Sequence, residues 1–149
     1  MTIITANKRA LYDYTILETY EAGIELSGQE VKSIKTGRIN LSSSHAIIQN
    51  NQVWLLNADI PAYQPKNAPA NYDPKRTRRL LLHASEIKSL IGKTQEKNLT
   101  LMPLKVYIKN QKIKLEIGLA KSKKKADKRE AIKKRETEKE IRKHKNLGM

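Results

Sequence analysis

Lys75-Arg76-Thr77-Arg78-Arg79 puts four cations into five residues directly ahead of Leu80-Leu81-Leu82. Guanidinium groups donate paired hydrogen bonds to phosphate oxygens, so this spacing suits a nucleic-acid backbone. On a strand, Arg76 and Arg78 share one face while Lys75 and Arg79 share the other. A bland alternative is an edge strand guarded by charge. The formal charge of +15 favours phosphate contact. One carboxylate stands out against this background. In Leu26-Ser27-Gly28-Gln29-Glu30-Val31-Lys32-Ser33-Ile34-Lys35-Thr36-Gly37, Ser27 and Glu30 have the S-x-x-E spacing of a capping box. Gly37 fits the C-terminal stop of the same helix. Val31 and Ile34 face the core, Gln29, Lys32 and Thr36 lie opposite, and Glu30 projects at the flank. Capping and the helix dipole are sufficient to explain it.

Catalytic chemistry finds no comparable support. The three histidines, His45, His83 and His144, fall in no HxH or HExxH spacing, and there is no cysteine to assist them. No metal site and no cofactor are expected. Ser42-Ser43-Ser44-His45 lacks a Gly-x-Ser-x-Gly elbow and reads as a turn entering a strand. P-loop and Rossmann glycine patterns are absent. The chain is therefore expected not to be an enzyme. Base stacking is also poorly supplied, with no Phe, one Trp and six Tyr. Trp54 sits in an apolar run and is expected in the core. That scarcity favours recognition of folded RNA by shape and phosphate over the reading of loose bases.

These residues must be positioned by elements that are mostly strands. Tyr14 to Tyr20 is rich in β-branched and aromatic residues, Glu21-Ala22-Gly23 breaks it, and Ile24-Glu25-Leu26 resumes. His45 to Gln49 and Gln52 to Leu56 flank Asn50-Asn51, a pair that tolerates the positive φ of a two-residue hairpin. Leu99 to Ile108 and Lys112 to Leu119 form another pair across Lys109-Asn110-Gln111. A second helix spans Ser85 to about Thr94, with Ile87, Leu90 and Ile91 on one stripe. The fold expected is mainly β: an OB-type antiparallel barrel of about six strands with two or three short helices, with an open half-barrel as the alternative. Residues 57–79, with Pro61, Pro65, Pro69 and Pro74, form a long loop of the kind that is often functional.

Of the 149 residues, 38% are hydrophobic and 30% charged, which fits one small core and a polar extension. Residues 121–149 hold 13 Lys/Arg and 5 Asp/Glu, a net of +8, against +7 for all of 1–120. Two units are expected: a barrel over 1–120 and a basic C-terminal tail over 121–149. In the tail, Ile132 and Ile141 fall on opposite sides of a helix, so no apolar stripe can dock it on the core. Asp127 can cap with Glu130, and Glu130/Lys134 and Glu138/Arg142 are favourably ordered pairs. The free tail is expected to be mostly disordered and to fold as a helix on RNA, which screens its repulsion. Absent cysteines, an N-terminus without the order of a signal peptide, and no run approaching about 18 apolar residues point to a soluble cytoplasmic protein without a membrane partner.

The order of motifs carries more. Asn7-Lys8-Arg9-Ala10 is followed by Tyr20-Glu21-Ala22-Gly23-Ile24-Glu25-Leu26, then Gly28 to Lys35 and Gly37-Arg38-Ile39-Asn40-Leu41. Asp73 to Leu82, Ile117-Gly118-Leu119-Ala120-Lys121 and Asp127-Lys128-Arg129 complete the series. From about residue 7 to 135 this resembles the SmpB family, the bacterial SsrA-binding (tmRNA-binding) proteins. The resemblance implies an OB-type barrel that binds the tRNA-like domain of transfer-messenger RNA (tmRNA) and delivers it to stalled ribosomes for trans-translation. It implies a tail that probes the empty mRNA channel and the decoding centre, against small-subunit rRNA.

On that basis the RNA-binding residues of the barrel are Asn7, Lys8, Arg9, Glu30, Lys32, Lys35, Arg38, Asn40, Lys75, Arg76, Arg78 and Arg79. The ribosome-binding tail comprises Lys123, Lys124, Lys125, Asp127, Lys128, Arg129, Lys133, Lys134 and Arg135. A monomer is expected. The alternative is a ribosomal or general RNA-binding protein. Two departures stand out: Ser122 replaces a glycine frequent in the family, and Arg142 to Lys145 lacks an apolar pair found in some members.

Overall fold

Two tight turns set the register of much of the sheet. Asn50 and Asn51 have φ of 54° and 58°, and Asn110 and Gln111 have 51° and 65°. Both turns have the twist that matches flanking strands. They join β3 (His45–Gln49) to β4 (Gln52–Leu56), and β6 (Thr100–Lys109) to β7 (Lys112–Ser122). The computed structural model describes residues 1–97 and 99–123, without the side chains of 96 and 97. Its other elements are β1 (Thr2–Ala6), α1 (Lys8–Asp13), β2 (Tyr14–Ile24), α2 (Gly28–Lys35), β5 (Arg78–Leu81) and α3 (Ala84–Lys97). The expected tail helix lies outside the described residues.

The strand order is β1-β6-β3-β4-β5-β2-β7, and β7 returns to pair with β6. Six antiparallel strands thus close on themselves, the OB-like barrel that the strand signals suggest. The seventh, β1, shares an edge of β6: Leu101 of β6 meets Ala46 of β3, while Lys105 to Ile108 meet β1. Closure leaves few unpaired edges. Val53, Leu55, Leu80, Val106, Leu115 and Ile117 are fully buried inside. From α3, Ile87, Leu90 and Ile91 pack onto this core, which is the stripe its periodicity predicts.

Four details differ from the sequence expectations. β2 runs unbroken through Glu21-Ala22-Gly23. Pairing to β7 along its length and to β5 at Gly23 and Ile24 overrides the local break. A Cβ on Gly23 would sit 3.3 Å from Leu81 Cβ, so this glycine lets the two strands approach. Trp54 is half-buried on the outer face of β4, not in the core. Its neighbours Val53 and Leu55 point inward, and strand parity sends Trp54 out, where its Nε1 donates to the Gln49 carbonyl at 3.1 Å. β7 extends to Ser122, held by pairs Thr15–Lys121 and Tyr14–Ser122, beyond the apolar alternation. Finally, β1 and α1 have no counterpart in the sequence reading.

The proline-rich connection between β4 and β5 is built into the barrel. Ala58 and Ile60 are fully buried. Asn40 and Asp59 exchange backbone hydrogen bonds at 3.0 and 3.1 Å, and Ile60 N–H donates to Pro74 O at 3.0 Å. A short 3-10 turn, Pro65–Asn67, caps its outer bend.

Candidate nucleic-acid interface

The capping box at α2 forms as its sequence predicts. Ser27 Oγ accepts from Glu30 N–H at 3.3 Å, and Glu30 Oε1 accepts from Ser27 N–H at 2.9 Å. Glu30, however, is fully buried rather than at the helix flank. Arg76 Nε donates to its Oε2 at 3.1 Å while Arg76 Nη2 donates to Oε1. Arg78 Nε donates to Oε2 at 2.7 Å. Burial works against the charge, but the hydrogen bonds from Arg76, the Ser27 backbone and Arg78 outweigh it and hold the carboxyl at about 2. Tyr72 O–H donates to the Ile60 carbonyl at 2.6 Å and lies 3.4 Å from Glu30 Oε2. Burial, followed by the Glu30 charge, raises its pKa.

Arg78 is also fully buried. Its Nη1 donates to Ala58 O at 2.9 Å and Arg76 O at 3.1 Å, and its Nη2 to Pro74 O at 3.0 Å. Nη2 also reaches Glu30. All five N–H donors of the guanidinium are therefore engaged. No part of Arg78 is left for a phosphate, so the contact expected of it is replaced by a structural one. The signal was in the sequence: Arg78 shares parity with Leu80, which is fully buried. Arg76 and Arg78 do share a face, as expected, but that face turns toward Glu30.

Asn7 is buried too. It caps α1 by accepting from Ala10 N–H, and its Nδ2 donates to Pro103 O at 2.9 Å and Leu41 O at 3.3 Å. That pin brings together residues some thirty positions apart. Lys8, Arg9 and Asn40 line one cleft of about 390 Å³, with Thr5, Ile39 and Ser42 in its walls. Lys8, Arg9 and Asn40 are exposed there, and Arg9 makes a long 3.8 Å contact to Asp13. Ser42 N–H donates to Asn40 Oδ1 at 2.8 Å, and Ser44 N–H to Leu41 O at 2.9 Å. Ser42 to Ser44 thus forms the turn its composition suggests.

The remaining expected residues are exposed but not gathered at one point. Lys32 and Lys35 stand on α2, Arg38 follows it, and Lys75 precedes β5. Arg79 pairs with Glu25 at 3.0 Å on the barrel's exterior. Lys123 N–H donates to Asp13 O at 3.0 Å, and its Nζ to Leu11 O at 3.2 Å, so the chain leaves the barrel beside α1. Lys124, Lys125, Asp127, Lys128, Arg129, Lys133, Lys134 and Arg135 lie outside the described residues. Among the described residues, no group of three or more His, Cys, Asp or Glu could hold a metal ion. No described helix is long and apolar enough to cross a membrane.

A closed antiparallel OB-like barrel that exposes Lys8 and Arg9 at a formed cleft, in a chain of formal charge +15, defines a protein of the polyanion-binding class. Comparison with known proteins gives the family. The family model described as SmpB protein matches residues 4–146. An SsrA-binding protein of Gloeothece citriformis (strain PCC 7424) is 52% identical over 139 residues, covering 93% of this chain and 90% of that protein. One from Carboxydothermus hydrogenoformans (strain ATCC BAA-161 / DSM 6008 / Z-2901) is 54% identical over 141 residues, covering 95% and 94%. A solved structure described as "tmRNA-SmpB: a journey to the center of the bacterial ribosome" aligns with a TM-score of 0.66 at 44% identity, covering 86% of this chain and 93% of its own. The chain belongs to the SmpB protein family.

Proposed function

We propose that this chain is a non-catalytic RNA-binding adaptor of the cytoplasm. It binds the tRNA-like domain of tmRNA and delivers it to stalled ribosomes for trans-translation. Family membership over nearly the whole chain carries this reading. The cleft of Lys8, Arg9 and Asn40 supplies the chemistry, with exposed cations on a rigid frame to meet phosphates. Lys32, Lys35, Arg38, Lys75 and Arg79 extend that contact. Asn7, Glu30, Arg76 and Arg78 support it from within by holding the loops in place. The tail from Lys123 onward carries the ribosomal contacts, including Asp127, Lys128, Arg129, Lys133 and Arg135.

The test is a mobility shift of the isolated tRNA-like domain of tmRNA against random RNA of equal length. Tight, selective binding is expected, with a log–log salt slope growing by about 0.7–0.9 for each phosphate neutralised. Equal binding to both RNAs would remove the adaptor reading. Retention on ribosomes through a high-salt wash would favour a resident ribosomal protein instead.

A further inference from the structure

A second cleft lies apart from the one at Lys8 and Arg9 and shares no lining residue with it. Its walls are Arg38, Tyr63, Gln64, Pro65, Lys66 and Asn67, and its volume is about 560 Å³, within the range in which small ligands are held. Tyr63 is half-buried, while Arg38 and Lys66 are exposed. Neither cation has an acidic partner among the described residues, in contrast to Arg76 and Arg79. The Tyr63 hydroxyl likewise has no hydrogen-bond partner among the described residues.

The cleft is built, not merely a gap between loops. Asn67 N–H donates to Gln64 O at 2.9 Å, and Asn67 Nδ2 to Gln64 Oε1 at 2.7 Å. Gln29 Nε2 on α2 donates to Asn67 O at 3.1 Å. Ser33 Oγ, also on α2, donates to Pro61 O at 2.6 Å. Pro65 opens the 3-10 turn, where its fixed φ removes conformational freedom. Arg78 ties the two ends of the loop together by donating to Ala58 O and Pro74 O. A site ordered before binding loses little entropy when its ligand arrives.

We propose that this cleft takes one unstacked nucleotide of the bound RNA. The base lies against the Tyr63 ring and Pro65, and the phosphate sits between Arg38 and Lys66. An aromatic face accepts any base, and two uncompensated cations at its rim select an anion. Neither Tyr63 nor Lys66 belongs to the basic cluster or the α1 cleft, so this is a separate point of contact. It adds one stacking contact to the recognition by shape and phosphate that the scarcity of aromatic residues favours. The inference rests on the RNA-binding reading above.

Fluorescence anisotropy with the tRNA-like domain of tmRNA, at several salt concentrations, tests it. The proteins compared are wild type, Tyr63→Phe, Tyr63→Ala and the double variant Arg38→Gln/Lys66→Gln, each checked for folding by circular dichroism. Tyr63→Phe should bind within about twofold of wild type, and Tyr63→Ala roughly tenfold more weakly with an unchanged salt slope. The double variant should lower the salt slope by about 1. If either folded variant, Tyr63→Ala or the double variant, binds as wild type does, the cleft proposal is overturned. Should Tyr63→Ala fail to fold, the double variant decides, because the exposed side chains of Arg38 and Lys66 make no hydrogen bond or ion pair among the described residues. Failure of the wild type to prefer this RNA over random RNA would instead overturn the RNA reading itself.

Discussion

Glu30 and Arg78 form a buried pair whose value lies in completeness. Removing one partner from such a pair strands a charge in low dielectric, at about 3–5 kcal/mol. Arg78→Ala should therefore lower stability by that amount, read as a melting temperature about 10–20 °C lower. Arg76 has a side chain 37% exposed, so Arg76→Ala should cost only about 1–2 kcal/mol. The Arg79–Glu25 pair is exposed on both sides, and Arg79→Ala should change stability by less than about 1 kcal/mol. If urea melts ranked Arg79 above Arg78, the clasp assignment would be wrong.

Glu30 also sets an acid limit. Its carboxyl is held at about 2 against an ordinary 4.5. Its contribution is thus complete above about pH 4.5 and disappears as the pH falls toward 2, amounting to on the order of 3 kcal/mol. Denaturant melts from pH 6 down to 2.5 should show this slope in wild type and a shallower one in Glu30→Gln. A neutral amide at this position would leave the buried Arg78 guanidinium without its counter-charge. That variant should therefore lose fold stability and RNA affinity together.

At the scale of elements, the hairpins and the closure strand are sensitive to single atoms. Gly118 on β7 faces a crowded interior, where an added Cβ would lie 2.8 Å from Leu104 Cδ1 and 3.1 Å from Ile16 Cγ2. Gly118→Ala should destabilise by about 1–3 kcal/mol through overpacking, measured by thermal unfolding. Gln111 holds a φ of 65° without being glycine. Gln111→Gly should stabilise the β6–β7 turn by about 0.5–1 kcal/mol. An unchanged melting temperature in both would argue against the register described for β6 and β7.

For the whole molecule, the division of labour is a prediction about truncation. The last 29 residues carry +8 of the +15 net charge, yet Lys121 and Ser122 still pair with β2. Ending the chain after Lys123 should leave the barrel folded and the tRNA-like domain bound, while tagging of stalled peptides is lost. The salt slope of binding should be nearly that of the full chain. Ending it at 120 instead would cut strand pairs and blur the two effects. Equal loss of RNA binding and tagging after truncation at Lys123 would contradict the two-unit organisation.

Local chemistry made much of this protein legible in advance. Polar–apolar alternation over Lys112 to Ile117 marked β7, Asn50-Asn51 marked the turn between β3 and β4, the spacing of Ser27 and Glu30 marked a cap, and the stripe of Ile87, Leu90 and Ile91 marked α3. Each depends on neighbours within a few residues, where backbone geometry alone dictates the pattern. Charge number likewise pointed to a polyanion without any fold. What tertiary structure decided was which distant polar groups meet. Parity with Leu80 hints that Arg78 faces inward, but only barrel closure brings Glu30, forty-eight residues earlier, to its guanidinium. The same closure, with the loop drawn onto α2, sets Tyr63 and Lys66 beside Arg38, more than twenty residues away in the chain. Proximity between distant residues is a property of the closed fold, so no local pattern could carry it.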